Sequence, residues 1–219
     1  VAVNLYGPTT EYEGQTGKWR PGMRIAARWI LALAVVAVLA GMIAAYGNRT
    51  VKFKGTDITG AAFGGDFSMP DHTGKMRSLG DFKGKVVVLF FGFTQCPDVC
   101  PTTLSELAAA LHEVGAKAND VQVLFVTVDP ERDTPELLAQ YVPAFNPGFL
   151  GLRGSQAEIE TAARMFKVFY QKSPGSSGGY TMDHTAASFL LDRQGKVRVL
   201  VSYGAGASVF AHDLAQLLR

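Results

Sequence analysis

The chain has 219 residues, with 21 Lys and Arg against 19 Asp and Glu, and 47% of its residues are hydrophobic. This length suits one ordinary globular domain, the net charge of +2 argues against a general nucleic-acid binder, and the hydrophobic content excludes a mostly disordered chain. Two cysteines are too few for a small domain that depends on disulfides.

The apolar residues are concentrated in one segment near the N-terminus. Residues 29–46 read WILALAVVAVLAGMIAAY and contain no charge, and such a helix would cover roughly 27 Å, close to the hydrocarbon thickness of a bilayer. Trp29 and Tyr46 stand at its ends, where amphipathic rings favour the membrane interface. We therefore predict a transmembrane anchor at residues 24–46, preceded by a disordered tail at residues 1–23.

A buried core helix and a cleaved signal peptide are the two alternatives for this segment. Core helices rarely lack a polar stripe over five turns, and the apolar part of a signal peptide is normally about 7–15 residues long. A large domain follows the segment, and such domains translocate largely regardless of charge. We therefore predict a single-pass protein of an inner, cytoplasmic-type membrane, with its C-terminal domain outside the cytoplasm.

The rest of the chain divides into a linker, residues 47–62, and one folded domain, residues 63–219. Gly74 predicts a hairpin turn near the start of this domain. Continuous apolar runs at 85–93 and 121–128 predict strands that are buried on both faces.

Spacing and capping signals predict the remaining elements. Apolar residues at helical spacing and helix-start signals predict helices at 102–114, from 133, at 156–169 and at 208–218, and the residues 188–191 and 196–201 predict a hairpin. The resulting order is β-α-β-α-α-β-β-α, which indicates an α/β fold with a mixed sheet flanked by helices. A thioredoxin-like fold is its most economical match.

The two cysteines lie four positions apart in the segment Cys96-Pro-Asp-Val-Cys100, after the first predicted strand and at the start of the first helix. A thiolate at a helix N-terminus is stabilised by unpaired N–H groups and by the helix dipole. Two such thiols can cycle between dithiol and disulfide, or they can bind a soft metal. A purely structural disulfide is the alternative, but it would close a short loop and constrain little chain.

A metal would need a further ligand, and histidine is the available type. His72, His112 and His212 are more simply explained as solvated or packed side chains. His184 lies between a Gly- and Ser-rich loop and a predicted buried strand, from which it can approach a site. Two thiolates and one imidazole suit both oxidation states of copper, because imidazole helps to hold Cu(II).

A charged segment, Asp129-Pro-Glu-Arg-Asp133, follows the second predicted strand. The carboxyl ends of parallel strands meet at one edge of a sheet, so Asp129 is expected near the cysteines. There it would act as an outer partner that orients a ligand. The alternative is that Asp129, Arg132 and Asp133 only organise the turn and cap the next helix.

Three motifs, FGFTQCPDVCPTTL, VTVDPERDTPE and YTMDHTAASFLLD, resemble in this order the Sco/SenC family of copper-binding thioredoxin-like proteins. Members of that family assist assembly of the binuclear copper centre of cytochrome c oxidase, and the resemblance extends over residues 60–219. It implies that Cu(I) or Cu(II) binds to Cys96, Cys100 and His184, and that Asp129 is the aspartate of the family's DPERD motif. It also implies an anchored domain in the periplasm or in the mitochondrial intermembrane space.

These residues are compatible with four hypotheses for the function of the chain. The leading hypothesis is a copper chaperone whose partner is the copper-bearing subunit of cytochrome c oxidase, with a copper donor protein as a further possible partner. The second is a thiol–disulfide reductase, in which Cys96 and Cys100 keep the cysteines of that subunit reduced. A peroxiredoxin-like peroxidase needs a cation beside the attacking cysteine, and no Arg or Lys flanks Cys96 in sequence. A membrane-tethered scaffold would leave Cys96, Cys100 and His184 unexplained.

Overall fold

A computed structural model of the chain describes residues 21–47, 52–175 and 178–219. The chain divides into two compact units, Val1–Thr50 and Val51–Arg219. Most of the predicted N-terminal tail, residues 1–20, lies outside the described residues, as does part of the predicted linker.

The first unit contains helix α1, Pro21–Gly47. Its described side chains, at residues 28–42, are all exposed, and large apolar ones such as Trp29 and Leu31 are among them. Within the described residues, no helix was found that has both the length and the apolar character needed to cross a membrane. The transmembrane anchor at 24–46 therefore stays a prediction.

The second unit is built on a six-stranded mixed sheet in the order β1-β10-β9-β4-β5-β6. Strands β4, β5 and β6 run parallel to each other, whereas β9 is antiparallel to β4 and to β10, and β1 is antiparallel to β10. The six strands are β1 (Thr56–Asp57), β4 (Val86–Gly92), β5 (Val121–Thr127), β6 (Leu150–Leu152), β9 (Ala187–Leu191) and β10 (Val197–Ser202).

Two further hairpins flank the sheet. The first joins β2 (Ser68–Pro70) to β3 (Met76–Ser78), and Gly74 in its turn has a φ of 84°, which glycine adopts without strain. This confirms the hairpin predicted from Gly74. The second joins β7 (Tyr170–Pro174) to β8 (Tyr180–His184), through a turn of which residues 176 and 177 are outside the described part.

The core lies on both faces of β4, as its uninterrupted apolar sequence predicts. Every residue of β4 is buried, and successive side chains of a strand point to opposite faces. Phe90 packs against Phe125, whereas Phe91 packs against Phe166 at the end of a helix. The central strand is therefore covered on both sides.

The described residues of this unit also form the α-helices α2 (Val99–Val114), α3 (Pro135–Phe145), α4 (Gln156–Met165) and α5 (Ala207–Leu217). The helix α3 begins at Thr134, whose hydroxyl accepts a hydrogen bond from the Leu137 N–H (3.2 Å), and Pro135 occupies the first turn. Its start thus follows the predicted signal, with Thr134 rather than Asp133 as the capping side chain.

The structure differs from the sequence prediction in the bounds of two helices and in strands that were not predicted, among them β6, β7 and β8. The predicted helix 156–169 ends at Met165, because Lys167 takes a positive φ of 56° and the Val168 N–H turns back to the Ala163 carbonyl. The helix predicted at 102–114 begins earlier, at Val99. Residues 56–57, inside the predicted linker, form β1 and pair with β10.

Candidate metal site

Two sulfurs and one imidazole meet at the carboxyl end of β4. The ligand atoms of Cys96, Cys100 and His184 all lie within 4.8 Å of one another. Cys96 is half-buried and Cys100 is buried, and neither forms a disulfide. The arrangement is a three-donor group large enough to receive a single metal ion.

The start of α2 places the two sulfurs on one side. Cys100 lies in the first turn of this helix, whereas Cys96 lies in the loop before it, and the Cys100 N–H donates a hydrogen bond to Cys96 Sγ (3.4 Å). Gly92, the last residue of β4, makes room for the pair, because a Cβ there would be 2.8 Å from Cys100 Sγ. Cys100 therefore packs directly against the end of the central strand.

His184 reaches the cysteines from a distant part of the chain, as the last residue of β8. Its Nδ1 is 3.1 Å from the Thr185 carbonyl oxygen, and a carbonyl can only accept, so Nδ1 carries the proton. Nε2 lies 3.6 Å from Cys100 Sγ. The ring packs edge-on against Phe93, with 5.8 Å between centroids, which fixes the direction of the Nε2 lone pair.

The pKa values of the two thiols are shifted in opposite directions. A hydrogen bond from the Cys100 side chain is the main factor that lowers the pKa of Cys96, to about 4, against the opposing effect of burial; the Cys100 N–H adds to the lowering. The same hydrogen bond, followed by burial, raises the pKa of Cys100. Cys96 is thus the thiolate of the pair, and Cys100 holds its proton.

Asp129 is buried near this site, but its carboxylate bonds to neither the cysteines nor His184. It accepts hydrogen bonds from the Tyr180 hydroxyl (2.9 Å) and from Arg132 Nε. The proton on His184 Nδ1 goes to a backbone carbonyl instead. Any influence of Asp129 on the histidine must therefore be indirect, through Tyr180 or Arg132.

Asp133 is a second buried carboxylate, and the sequence analysis gave it only a turn or capping role. It accepts hydrogen bonds from the Thr94 hydroxyl (2.6 Å) and the Thr127 hydroxyl (2.6 Å), and from the Thr94 N–H. Burial raises its pKa, and the threonine hydrogen bonds act against that effect. Asp133 thus ties the loop before Cys96 to the end of β5. No signal in the sequence distinguished it from the other acids of this segment.

The other three histidines have local roles that agree with the sequence interpretation. His72 Nδ1 accepts a hydrogen bond from the Gly151 N–H (3.1 Å), and His212 Nε2 bonds to the Lys52 carbonyl (3.0 Å). His112 is exposed on α2. None of the three belongs to the cysteine cluster found among the described residues.

Comparisons with known proteins agree with this fold. The sequence model of the SCO1/SenC family matches residues 55–219. The mitochondrial protein SCO2 homolog of Bos taurus is 44% identical over 134 residues, which are 60% of this chain and 50% of that protein. The chain thus spans about half the length of this mitochondrial relative.

Two solved structures show the same architecture. Bradyrhizobium japonicum ScoI, solved with copper bound, is 40% identical and covers 71% of this chain and 99% of its own, with a TM-score of 0.66. Apo Sco1 from Thermus thermophilus is 42% identical and covers 78% of this chain and 99% of its own, with a TM-score of 0.69. These likenesses confirm the predicted thioredoxin-like α/β fold.

Proposed function

The chain belongs to the SCO1/SenC family, and we propose that it binds one copper ion through Cys96, Cys100 and His184 and assists assembly of the binuclear copper centre of cytochrome c oxidase. The observation that carries this proposal is the convergence of two free thiols and one imidazole within 4.8 Å. In this function copper is cargo, which the protein receives and passes to the copper-bearing oxidase subunit. A separate copper donor protein would supply it.

The donor set suits copper in both oxidation states. Thiolates favour Cu(I), whereas imidazole favours Cu(II), so a site with both can hold the ion through a change of charge. Cys96 already favours the thiolate, but Cys100 must lose its proton when the metal enters. His184 is ready to bind through Nε2, because Nδ1 is engaged with the Thr185 carbonyl. Copper loading should therefore release protons.

A relative supports the choice of metal. The structure of Bradyrhizobium japonicum ScoI contains bound copper, and that protein is 40% identical to this chain. Two sulfurs and one nitrogen could also hold zinc, which favours four ligands in structural sites. The described residues offer three in the cluster, which agrees better with a site that releases its ion to a partner.

Anaerobic titration of the reduced full chain with Cu(I) tests the proposal. We expect one tightly bound copper per chain, and loss of this binding in Cys96→Ser and Cys100→Ser. The matched control is His112→Ala, because His112 is exposed and lies outside the cluster. If the reduced wild-type chain binds no copper tightly, the chaperone proposal is wrong.

We also propose that residues 24–46 anchor this domain to an inner membrane, with residues 63–219 in the periplasm or, in an organelle, the intermembrane space. The support is the uncharged sequence of residues 29–46 and the exposure of the large apolar side chains described in α1. Membrane fractionation of the full chain, followed by protease digestion of sealed spheroplasts, tests this topology. Digestion of the C-terminal domain from outside is expected.

A second candidate function is reduction of the disulfide of the oxidase subunit. The observation that favours it is the asymmetry of the thiols: a half-buried thiolate at Cys96 and a buried, protonated Cys100. Cys96 would attack the target disulfide and release one target thiolate. Cys100 would then lose its proton, attack the Cys96 sulfur and release the second thiolate. Two electrons pass to the target, and the chain ends with a Cys96–Cys100 disulfide.

The two functions differ in their need for His184. Disulfide exchange requires only the cysteines, so His184→Ala should retain it while it weakens copper binding. The reduction potential of the Cys96–Cys100 couple must also lie below that of the target disulfide for electrons to flow toward the target. A higher potential would exclude the reductase function.

A further inference from the structure

Arg132 joins the two segments that carry the proposed copper ligands. Its Nη1 donates hydrogen bonds to Gln95 Oε1 (3.1 Å) and to the Tyr180 carbonyl oxygen (2.8 Å). Gln95 directly precedes Cys96, and Tyr180 is the first residue of β8, the strand that ends at His184. One guanidinium group therefore holds the cysteine loop and the histidine strand together.

Packing contacts follow the same path. The guanidinium carbon of Arg132 lies 3.8 Å from the centroid of the Tyr180 ring and 5.8 Å from that of Phe93. Phe93 in turn packs edge-on against the His184 ring, with 5.8 Å between centroids. Arg132 thus also contacts the aromatic ring that supports the imidazole.

Asp129 fixes the guanidinium in this position. Its side chain is fully buried, pairs with Arg132 Nε and accepts the Tyr180 hydroxyl. A planar guanidinium can serve several acceptors in fixed directions, whereas a lysine ammonium is a single point charge. Asp129 therefore fixes the orientation of the Arg132 guanidinium group as well as balancing its charge.

We propose that Arg132 is a positioning residue of the metal site. It holds strand β8, which ends at His184, in a fixed position relative to the loop that carries Cys96. Only the copper-binding test of this inference depends on the proposed function; the hydrogen-exchange test does not. Without the Arg132 guanidinium group, β8 would move more freely, and the His184 imidazole would spend less time within reach of the ion. Cu(II) binding should suffer more than Cu(I) binding, because Cu(II) depends more on the imidazole.

The test compares Arg132→Gln and Arg132→Lys with the control Arg153→Gln. Arg153 is a half-buried arginine that donates to the Asp133 and Pro130 carbonyls of the same loop, without a hydrogen bond to Gln95 or Tyr180. The control therefore disturbs the loop to a comparable degree. Circular dichroism checks that each variant is folded.

The first measurement needs no metal: amide hydrogen exchange in the reduced full chain. We expect exchange in β8, Tyr180–His184, to speed up by about tenfold or more in Arg132→Gln and to stay at the wild-type rate in Arg153→Gln. The second measurement is copper affinity. Loss of a residue that supports a metal ligand typically weakens metal binding by about 10–100-fold. For Arg132→Gln we expect the Cu(II) affinity to fall by about tenfold, with an altered thiolate-to-copper charge-transfer band.

Lysine separates positioning from charge. Arg132→Lys keeps a cation opposite Asp129, so it should recover thermal stability but not the exchange rate of β8 or the Cu(II) spectrum. If Arg132→Gln does not fold, Gln95→Ala, at an exposed position, removes the loop contact alone and should weaken Cu(II) binding to a smaller degree.

The outcomes separate this inference from the proposed function. Wild-type exchange in β8 of Arg132→Gln, or full recovery of the Cu(II) spectrum by lysine, would overturn the positioning role. If the wild-type chain binds no copper, the proposed function fails, and the exchange measurement still decides whether Arg132 holds β8 in place.

Discussion

Cys100 Sγ lies 3.6 Å from His184 Nε2, although the two residues are 84 positions apart in the chain. The sheet register explains this contact. β9 runs antiparallel to β4 and pairs Ser188 with Phe90, so β9 begins beside the end of β4. His184, which precedes β9, is thereby brought to the edge from which the cysteine loop departs. A parallel β9 would have placed it at the opposite end.

Cys96 should react as a thiolate well below neutral pH. Because its pKa is lowered to about 4, the rate of alkylation by iodoacetamide should be nearly constant from pH 8 to about pH 5 and should fall toward pH 4. Cys100, which is buried and protonated, should react far more slowly. Mass spectrometry of the reduced chain after timed alkylation gives both rates.

The variant Cys100→Ala is the control for this prediction. It removes the hydrogen bond that is the main factor in lowering the pKa of Cys96, so the pH profile should shift upward toward that of an ordinary thiol. A wild-type rate that rises about tenfold per pH unit between pH 6 and pH 8, as for a thiol with a pKa near 8.5, would contradict the assignment.

Gly92→Ala should damage the site through steric contact. The added Cβ would be 2.8 Å from both Cys100 Sγ and Phe125 Cε2, so the strand end or the cysteine must shift. We expect a loss of about 1–3 kcal/mol in the free energy of unfolding, together with faster alkylation of Cys100. Urea unfolding and the same alkylation assay measure the two effects.

Gly65→Ala is a matched control for Gly92→Ala. Its Cβ would meet Met165 Sδ at 3.4 Å, an ordinary contact with a flexible side chain. We expect a change within about 0.5 kcal/mol. Equal stability of the two variants would show that the close approach of Gly92 to Cys100 is not a constraint on the fold.

Asp71→Asn should weaken the domain in a pH-dependent way. Burial raises the pKa of Asp71, but hydrogen bonds from Thr73, Arg77 and Lys75 outweigh it and lower the pKa to about 2. A lowered folded-state pKa gives stability that is present above the unfolded value near 4 and is lost as the pH falls toward 2. At pH 7 we expect a loss of about 2 kcal/mol, because charge-assisted hydrogen bonds are removed.

The difference between wild type and Asp71→Asn should therefore shrink between pH 4 and pH 2 in urea unfolding. Asp120→Asn is the control, since Asp120 pairs with Arg193 at an exposed position and such pairs contribute about 0–1 kcal/mol. A difference that persists unchanged down to pH 2 would exclude the ionised carboxylate as its source.

The sequence predicted those parts of the fold that have strong local signals. The apolar runs around Phe90 and Phe125 identified β4 and β5, and the spacing of the cysteines after β4 identified the two sulfur donors of the candidate site. The resemblance to a known family added His184 as a ligand. Local patterns were enough for the two strands and the cysteines, because a continuous apolar run predicts a buried strand and closely spaced cysteines predict a thiol site.

Other features depend on contacts between distant residues, so local patterns missed them. The predicted helix 156–169 extends past its observed end, because the apolar spacing continues beyond Met165 and only the left-handed conformation of Lys167 stops it. Strand β7, which follows, was not predicted. The two-residue strand β1 has no pattern of its own and exists through its pairing with β10. Asp133 carries its role through Thr94, 39 positions away.

The most direct test of the central claim is the copper affinity of His184→Ala in both oxidation states. Wild type, His184→Ala and the control His112→Ala would be titrated anaerobically with Cu(I) and then with Cu(II), with the charge-transfer band as a second readout. We predict that His184→Ala weakens Cu(II) binding more than Cu(I) binding and alters the band, while His112→Ala matches wild type. An unchanged Cu(II) affinity and spectrum in His184→Ala would contradict a Cys96–Cys100–His184 copper site.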